Sequence, residues 1–312
     1  MALDDRALRR LKLSDLRLLH AVVQWGGMAK AATHLNISQP AVSKAIAALE
    51  HTLGVRLLDR HPQGVEPTEY GHALLKGGIA VFDELNQAVK QIEFLGDPTA
   101  GQLRIGCSEP LAAGFVPTAI SELLQQYPRV AFHVVTADPA TLTARELQQR
   151  NIDLAIAPIS GLVLSPDVDV EVLFNDRQVV MAGPQNKWLR RRNIVLGDLV
   201  DEPWLLPPAD SIIGSSIIEV FHTVGLKPPH SHVITFSIPL CHHLLAGGQF
   251  LAMLPISMAG LGRLSLKILN VGIHGIPRPT GIMTLKKRTP SPLAQLFLNK
   301  VRELAKPLAK GK

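Results

Sequence analysis

Gln39, Ser43, Lys44 and Ala47 are spaced to share one face of a helix, and only one of them is charged. An amide such as Gln39 pairs bidentately with the edge of adenine, a hydroxyl such as Ser43 serves several bases, and Lys44 suits a phosphate. So sparse a charge suits a helix that enters a DNA major groove better than one that meets only water. On the other face, Val42, Ile46, Leu49 and Leu53 recur at helical spacing, which predicts burial.

The elements that must hold this face can be read on either side of it. Ser38 stands where an N-cap belongs, Pro40 falls inside the first turn, and Gly54 is placed to end the helix. Upstream, Ala29, Ala31, Ala32 and Leu35 outline a short helix, with Asn36-Ile37 as the turn. Residues 13–26 predict an earlier helix with Ser14 as its N-cap and Leu16, Leu19, Val22 and Val23 as its buried stripe. Downstream, Val55 to Leu58, a Pro-Gln-Gly turn and Val65 onward predict a two-stranded wing carrying Arg60 and His61 near phosphate or a minor groove. The apolar spacing alone would also suit an αα-hairpin in an unrelated helical domain.

The stretch resembles the DNA-reading motif of the LysR-type transcriptional regulators. The resemblance is carried by Ala31-Ala32, Leu35, Ser38-Gln39-Pro40-Ala41-Val42-Ser43, Ile46, Leu49-Glu50, Leu53-Gly54, Leu57, Arg60, Thr68 and Gly71. It implies DNA contact by Ser38, Gln39, Pro40, Ser43, Lys44, Arg60 and Thr68. Four positions depart from the family pattern: Gln63 stands at the wing tip in place of a basic residue, Glu66-Pro67 replaces a basic residue and leucine, and Met28 replaces a common serine. Weaker phosphate contact from the wing tip is expected.

Composition narrows the alternatives. The 312 residues, 46% hydrophobic, suffice for two or three packed domains. A net charge of +6 permits a nucleic-acid partner without requiring one, and much of the excess lies near the C-terminus, where a solvated helix face accounts for it. No apolar run approaches the ~20 residues of a membrane span, and the charged N-terminus lacks a secretory signal. Cys107 and Cys241 form no CxxC pair, so a cytoplasmic location is expected. Twelve histidines raise the question of a metal, but Cys241, His242 and His243 point about 100° apart on a helix, and HExxH is absent. No GxSxG elbow, GxGxxG loop or P-loop is found. No catalytic residue, metal or cofactor is therefore expected. A small-molecule binding protein with a vestigial DNA domain and an enzyme built on a two-lobed cleft stay as rival readings, and a redox role for Cys107, beside a helix N-terminus, as a variant of the regulator.

From Thr68-Glu69 a long helix is predicted to about Leu95. Leu74, Val81, Ala88 and Leu95 fall seven apart, with Leu85 and Ile92 between them, as in a coiled-coil seam. Packing on its own domain would explain the same pattern. The resemblance favours dimerisation, assigned to Leu74, Val81, Leu85 and Ile92. Gly77-Gly78 predicts a bend or a close helix approach. Residues 97–101 form a hinge by composition, and alternating strands and helices follow, which implies parallel sheets with helical crossovers. Single helices are expected over 111–127 and 141–150, and an extended crossing over 170–183.

The fold expected is therefore α+β and multidomain: a winged helix-turn-helix (1–72), a linker helix (68–96), and a two-lobed α/β effector domain (102–312). Lobe 1 takes about 102–172 and 275–312, and lobe 2 about 173–274. The resemblance implies a periplasmic-binding-protein-like cleft between these lobes. Loops beyond strand ends supply candidates for a bound effector: Ser108, Glu109, Ser160, Ser211, Thr235 and Ser237. For each, a plain helix cap or loop position is the alternative reading. A neutral polyol, a sugar acid and an aromatic acid are all open as effectors. The resemblance further implies a homodimer or homotetramer on an interrupted palindrome of double-stranded DNA, with RNA polymerase as a partner and no membrane.

Overall fold

The computed structural model describes residues 9–61, 64–258, 266–272 and 278–309. They form two compact units, Met1–Ala88 and Val89–Lys312. In the first unit, α1 (Leu13–Gln24), α2 (Met28–Leu35) and α3 (Gln39–Leu53) surround a core in which Leu19, Val22, Ala31, Val42 and Ile46 are fully buried. Ser14 does not cap α1. That place falls to Lys12, whose N–H donates to Asp15 Oδ2 at 3.1 Å, because Asp15 sits three residues on and can reach back. Asn36 takes the left-handed conformation at the end of α2, Ser38 Oγ accepts from the Ala41 N–H at 3.4 Å, and Gly54 closes α3 with φ +70°.

The wing follows as β1 (Leu58–His61) and β2 (Gly64–Pro67), antiparallel with His61 opposite Gly64. The tip residues Pro62 and Gln63 lie outside the described residues, and with them the expectation about Gln63. Glu50 fastens the wing to α3, its Oε1 accepting from Leu57 N at 2.8 Å and Leu58 N at 3.2 Å. At Gly71 a Cβ would lie 2.1 Å from the Leu57 carbonyl oxygen, so only glycine lets the backbones approach.

Helix α4 (Glu69–Gly96) is continuous, and its Gly77-Gly78 pair does not interrupt it. Gly78 packs against Leu16, but a Cβ there would stand 3.6 Å from that side chain, an ordinary van der Waals contact, so no close approach requires the glycine. Leu74 leaves the expected seam: it is partly buried against the core of the first unit. Only residues 97–99 separate α4 from β3 (Ala100–Cys107), so the expected hinge is shorter. Asp97 accepts from Thr99 N at 3.0 Å and Thr99 Oγ1 at 2.7 Å and pairs with Arg129, which stiffens it.

The second unit holds two five-stranded sheets. The first comprises β3, β4 (Arg129–Thr136), β5 (Leu154–Pro158), β6 (Val168–Asn175) and β12 (Pro279–Leu285), in the order β4-β3-β5-β12-β6. The second comprises β7 (Gln178–Ala182), β8 (Trp204–Leu206), β9 (Ser231–Ile234), β10 (Leu251–Pro255) and β11 (Lys267–Ile268), in the order β11-β7-β10-β8-β9. The sheets are mixed, not parallel: β3 runs parallel to β4 and β5, whereas β12 is antiparallel to β5 and β6. The direction of β12 is set by its pairing with β5 and β6, and an antiparallel pair needs no helical crossover.

Two expected helices are altered. Residues 109–126 form α5 (Glu109–Ala113) and α6 (Phe115–Gln126), broken at Gly114. There a Cβ would stand 2.5 Å from the Ser257 carbonyl, and this close backbone approach interrupts what local periodicity would continue. Residues 139–147 form a short turn that passes into a π-helical run in place of a helix over 141–150. The expected crossing over 170–183 is two strands, broken at Asp176-Arg177. Helices α7 (Ile212–Thr223), α8 (Ile238–Ala246) and α9 (Pro292–Ala309) complete the unit.

Candidate nucleic-acid interface and ligand cavity

The outward face of α3 presents Gln39, Pro40, Lys44 and Ala47, all exposed, while Val42, Ile46 and Leu49 anchor the helix from beneath. Ser38 is exposed beside them, its hydroxyl engaged by the N-cap bond. Ser43 is turned inward: it is half-buried, and its Oγ donates to Met28 Sδ at 3.1 Å. Thr68 is likewise engaged within the fold, donating to the Arg56 carbonyl at 2.8 Å and accepting from Gly71 N at 3.1 Å. It ties the wing to α4. Arg60 is exposed on β1, and Arg56, which sequence reasoning passed over, is also exposed.

Along α4, Val81, Leu85 and Ile92 stand exposed as a seam would require, Ile92 at 69%. Val89 and Leu95 join them, Leu95 at 76%.

In the second unit a cavity of about 470 Å³ opens beyond the C-terminal ends of β3, β4, β8, β9 and β10, where open α/β sheets gather ligands. Ser108, Glu109 and Thr235 line it as expected. Ser160, Ser211 and Ser237 are not on its wall. Ser211 Oγ accepts from Gly214 N at 2.9 Å and donates to the Pro208 carbonyl at 2.6 Å, so capping α7 occupies it. Ser237 is exposed and caps α8 through Leu240 N at 3.4 Å, and Ser160 is exposed in its loop.

Ser108 behaves differently from these caps. It precedes α5 yet makes no side-chain cap bond, and its buried Oγ has no hydrogen-bond partner. Sequence reasoning missed Gln178, a buried amide on the cavity wall whose Oε1 is also without a partner. Its signal was an amide opening a strand that continues Val-Val-Met-Ala. Asp138 was missed too: it follows β4, accepts from Thr141 N at 2.9 Å and lines the same wall. The Thr141 hydroxyl, then its N–H, hold the Asp138 carboxyl below its ordinary value. Glu109 Oε1 accepts from Ile238 N, at the start of α8, at 3.3 Å. Leu205, Ile213, Phe236, Met253 and Leu254 supply apolar wall.

A second, more open groove of about 630 Å³ runs past Val116, Ile120, Leu124 and Val134, and no unpartnered buried polar atom lies on it among the described residues. Both cysteines are buried and free. Burial pushes the Cys107 thiol up to about 11, which disfavours the thiolate that a redox sensor needs. Among the described residues no cluster of three or more His, Cys, Asp or Glu could hold a metal, and no helix is long and apolar enough to cross a membrane.

A helix-turn-helix with a wing, a long helix and a two-sheet unit with a cavity at its strand ends define a ligand-responsive DNA-binding regulator. Residues 13–72 match the bacterial regulatory helix-turn-helix protein of the lysR family, and residues 96–306 match the LysR substrate binding domain. The chain belongs to the LysR family of transcriptional regulators. It is 28% identical to the uncharacterized HTH-type transcriptional regulator YdcI of Escherichia coli, over 95% of this chain and 96% of that one. It is 28% identical to the HTH-type transcriptional regulator GbpR of Azospirillum brasilense, over 94% of this chain and 86% of that one. Its fold is similar to a full-length single-site variant of OxyR from Pseudomonas aeruginosa (TM-score 0.63, 20% identity, 96% of this chain and 97% of that one). It is also similar to full-length CbnR complexed with its target DNA (TM-score 0.52, 20% identity, 95% of this chain and 100% of that one).

Proposed function

We propose that this regulator reads an interrupted palindrome as a dimer, with α3 of each protomer in a major groove and a small organic effector in the cavity of the second unit. The observation that carries the DNA part is the α3 face, where Gln39 and Lys44 stand exposed on a helix capped at both ends and anchored by an apolar core. Gln39 reads a base edge, and Lys44 and Arg60 hold phosphates. The apolar strip on α4 supports pairing of two copies through Val81, Leu85 and Ile92. Assembly into a tetramer, contact with RNA polymerase and a cytoplasmic setting follow from the family and belong to the same proposal. The effector acts by linkage: a molecule that binds one lobe arrangement better shifts the protein toward it, and with it the affinity for DNA.

The test is a salt series of binding to the DNA upstream of the protein's own gene, beside a scrambled duplex. Preference for the native duplex by about a thousandfold or more supports sequence-specific reading. Equal affinities that collapse together as salt rises, with no enriched site in a genome-wide binding search, overturn it.

A further inference from the structure

The polar groups of the cavity are unevenly matched. At its buried end, Gln178 and Ser108 are 6% and 7% exposed, and Gln178 Oε1 and Ser108 Oγ are both without hydrogen-bond partners. Leaving buried polar atoms unpaired is unfavourable, so a bound molecule that pairs them gains by doing so. An amide oxygen accepts and does not donate, so the partner of Gln178 Oε1 must bring an N–H or O–H. Toward solvent the same wall carries two carboxylates, Glu109 and Asp138, both exposed. No Lys, Arg or His is among the described residues that line the cavity. A ligand carboxylate would meet like charge at the mouth, and at the buried end the acceptor Gln178 Oε1 together with the Ser108 hydroxyl, the one unpartnered group there among the described residues that can donate to it.

We infer that the effector is a small amine: a protonated nitrogen, rich in hydrogen-bond donors, on an apolar body. Its body lies against the aliphatic and aromatic wall that includes Leu205 and Phe236. Its N–H groups serve Gln178, with Glu109 and Asp138 supplying the balancing charge. This rests on the reading of the cavity as the effector site.

Benzylamine, benzyl alcohol and benzoate share one ring and differ only in the head, so calorimetric titration of the full chain with each tests the inference. The order expected is amine tightest, alcohol next and benzoate weakest. Glu109→Gln and Asp138→Asn keep the side-chain oxygens that accept from Ile238 and Thr141 while removing a charge. Each should weaken the amine by roughly two- to fivefold and leave the alcohol unchanged. Thr136→Trp, at an exposed wall position, plugs the cavity and should abolish binding. Benzoate binding tightest, and lost in Thr136→Trp, overturns the amine and leaves the cavity as the effector site. Binding that Thr136→Trp does not disturb puts the compounds elsewhere and overturns both readings. Absence of binding by all three overturns the amine proposal.

Discussion

Gln39 and Ser43 look alike in the sequence, as polar residues one turn apart on the same helix face, but the structure separates them. Gln39 stands free to reach a base edge, whereas the Ser43 hydroxyl already donates to Met28 Sδ. Gln39→Ala should therefore lose sequence preference more than general affinity, by about 1–3 kcal/mol against the wrong base. Ser43→Ala should lose much less. Competition binding with single-base variants of the site ranks the two, and equal effects would contradict the inward turn of Ser43. The hydroxyls at Ser108, Ser211 and Ser237 give the same lesson. Each precedes a helix, and capping accounts for the latter two. Ser108 alone fails to cap, a difference of side-chain direction to which a one-dimensional pattern is blind. Glu50 belongs here as well: it satisfies two backbone N–H groups of the wing strand, and Glu50→Ala should destabilise the first unit by about 1–3 kcal/mol in denaturant unfolding.

Among the elements, those with local causes were the legible ones. The α3 caps and the span of α4 follow from Ser38, Gly54 and periodicity, and the structure has them where the pattern predicts. The break at Gly114 has a distant cause, the Ser257 carbonyl pressed against it, and no window of sequence around residue 114 contains that atom. Strands β8 and β11 are short, three and two residues, and are held by their neighbours in the sheet and not by an alternation of their own. The α4 strip was legible except at Leu74, which packs inward near its N-terminal end, and at Val89, which stands exposed outside the heptad reading. Ile92 is 69% exposed, so Ile92→Glu leaves the protomer intact. It should convert the dimer to monomer in sedimentation velocity, and a dimer unchanged by it would place the interface elsewhere. Gly71→Ala is a different matter: its methyl would collide with the Leu57 carbonyl, so the wing must detach from α4. Loss of DNA binding with the second unit still folded is the outcome expected by circular dichroism and gel shift.

For the molecule as a whole, both lobes of the second unit depend on buried aspartates with opposite leanings. Burial alone would raise Asp153, but the Arg104 N–H together with Lys90, Arg288 and Arg104 lower it on balance. A lowered folded-state value means stability present above the ordinary 3.8 and lost as pH falls through the lower folded value. Asp153→Asn should thus be less stable at neutral pH and flatter in the acid range, read from thermal midpoints across pH. Asp176, by contrast, sits where the chain crosses between lobes and accepts from Ser257 N at 3.0 Å and Oγ at 2.6 Å. Burial raises it in spite of these bonds, so its contribution is greatest in acid and fades as pH rises through the raised folded value. The two-lobed plan was legible from the change of pattern after residue 96. The antiparallel return of β12 was not, because strand direction is decided by partners far away in the chain.

The division of labour around α3 has an evolutionary consequence. Its exposed positions lie outside the buried core, so Gln39, Lys44 and Ala47 can vary at little cost to the fold. A duplicated copy of this gene can therefore acquire a new operator through a few substitutions that are nearly silent in stability. Ser43 is the exception, since its hydroxyl is bonded to Met28. A lineage that places serine at position 28 releases that hydroxyl, and the specificity of the helix then drifts from a residue buried beneath its reading face.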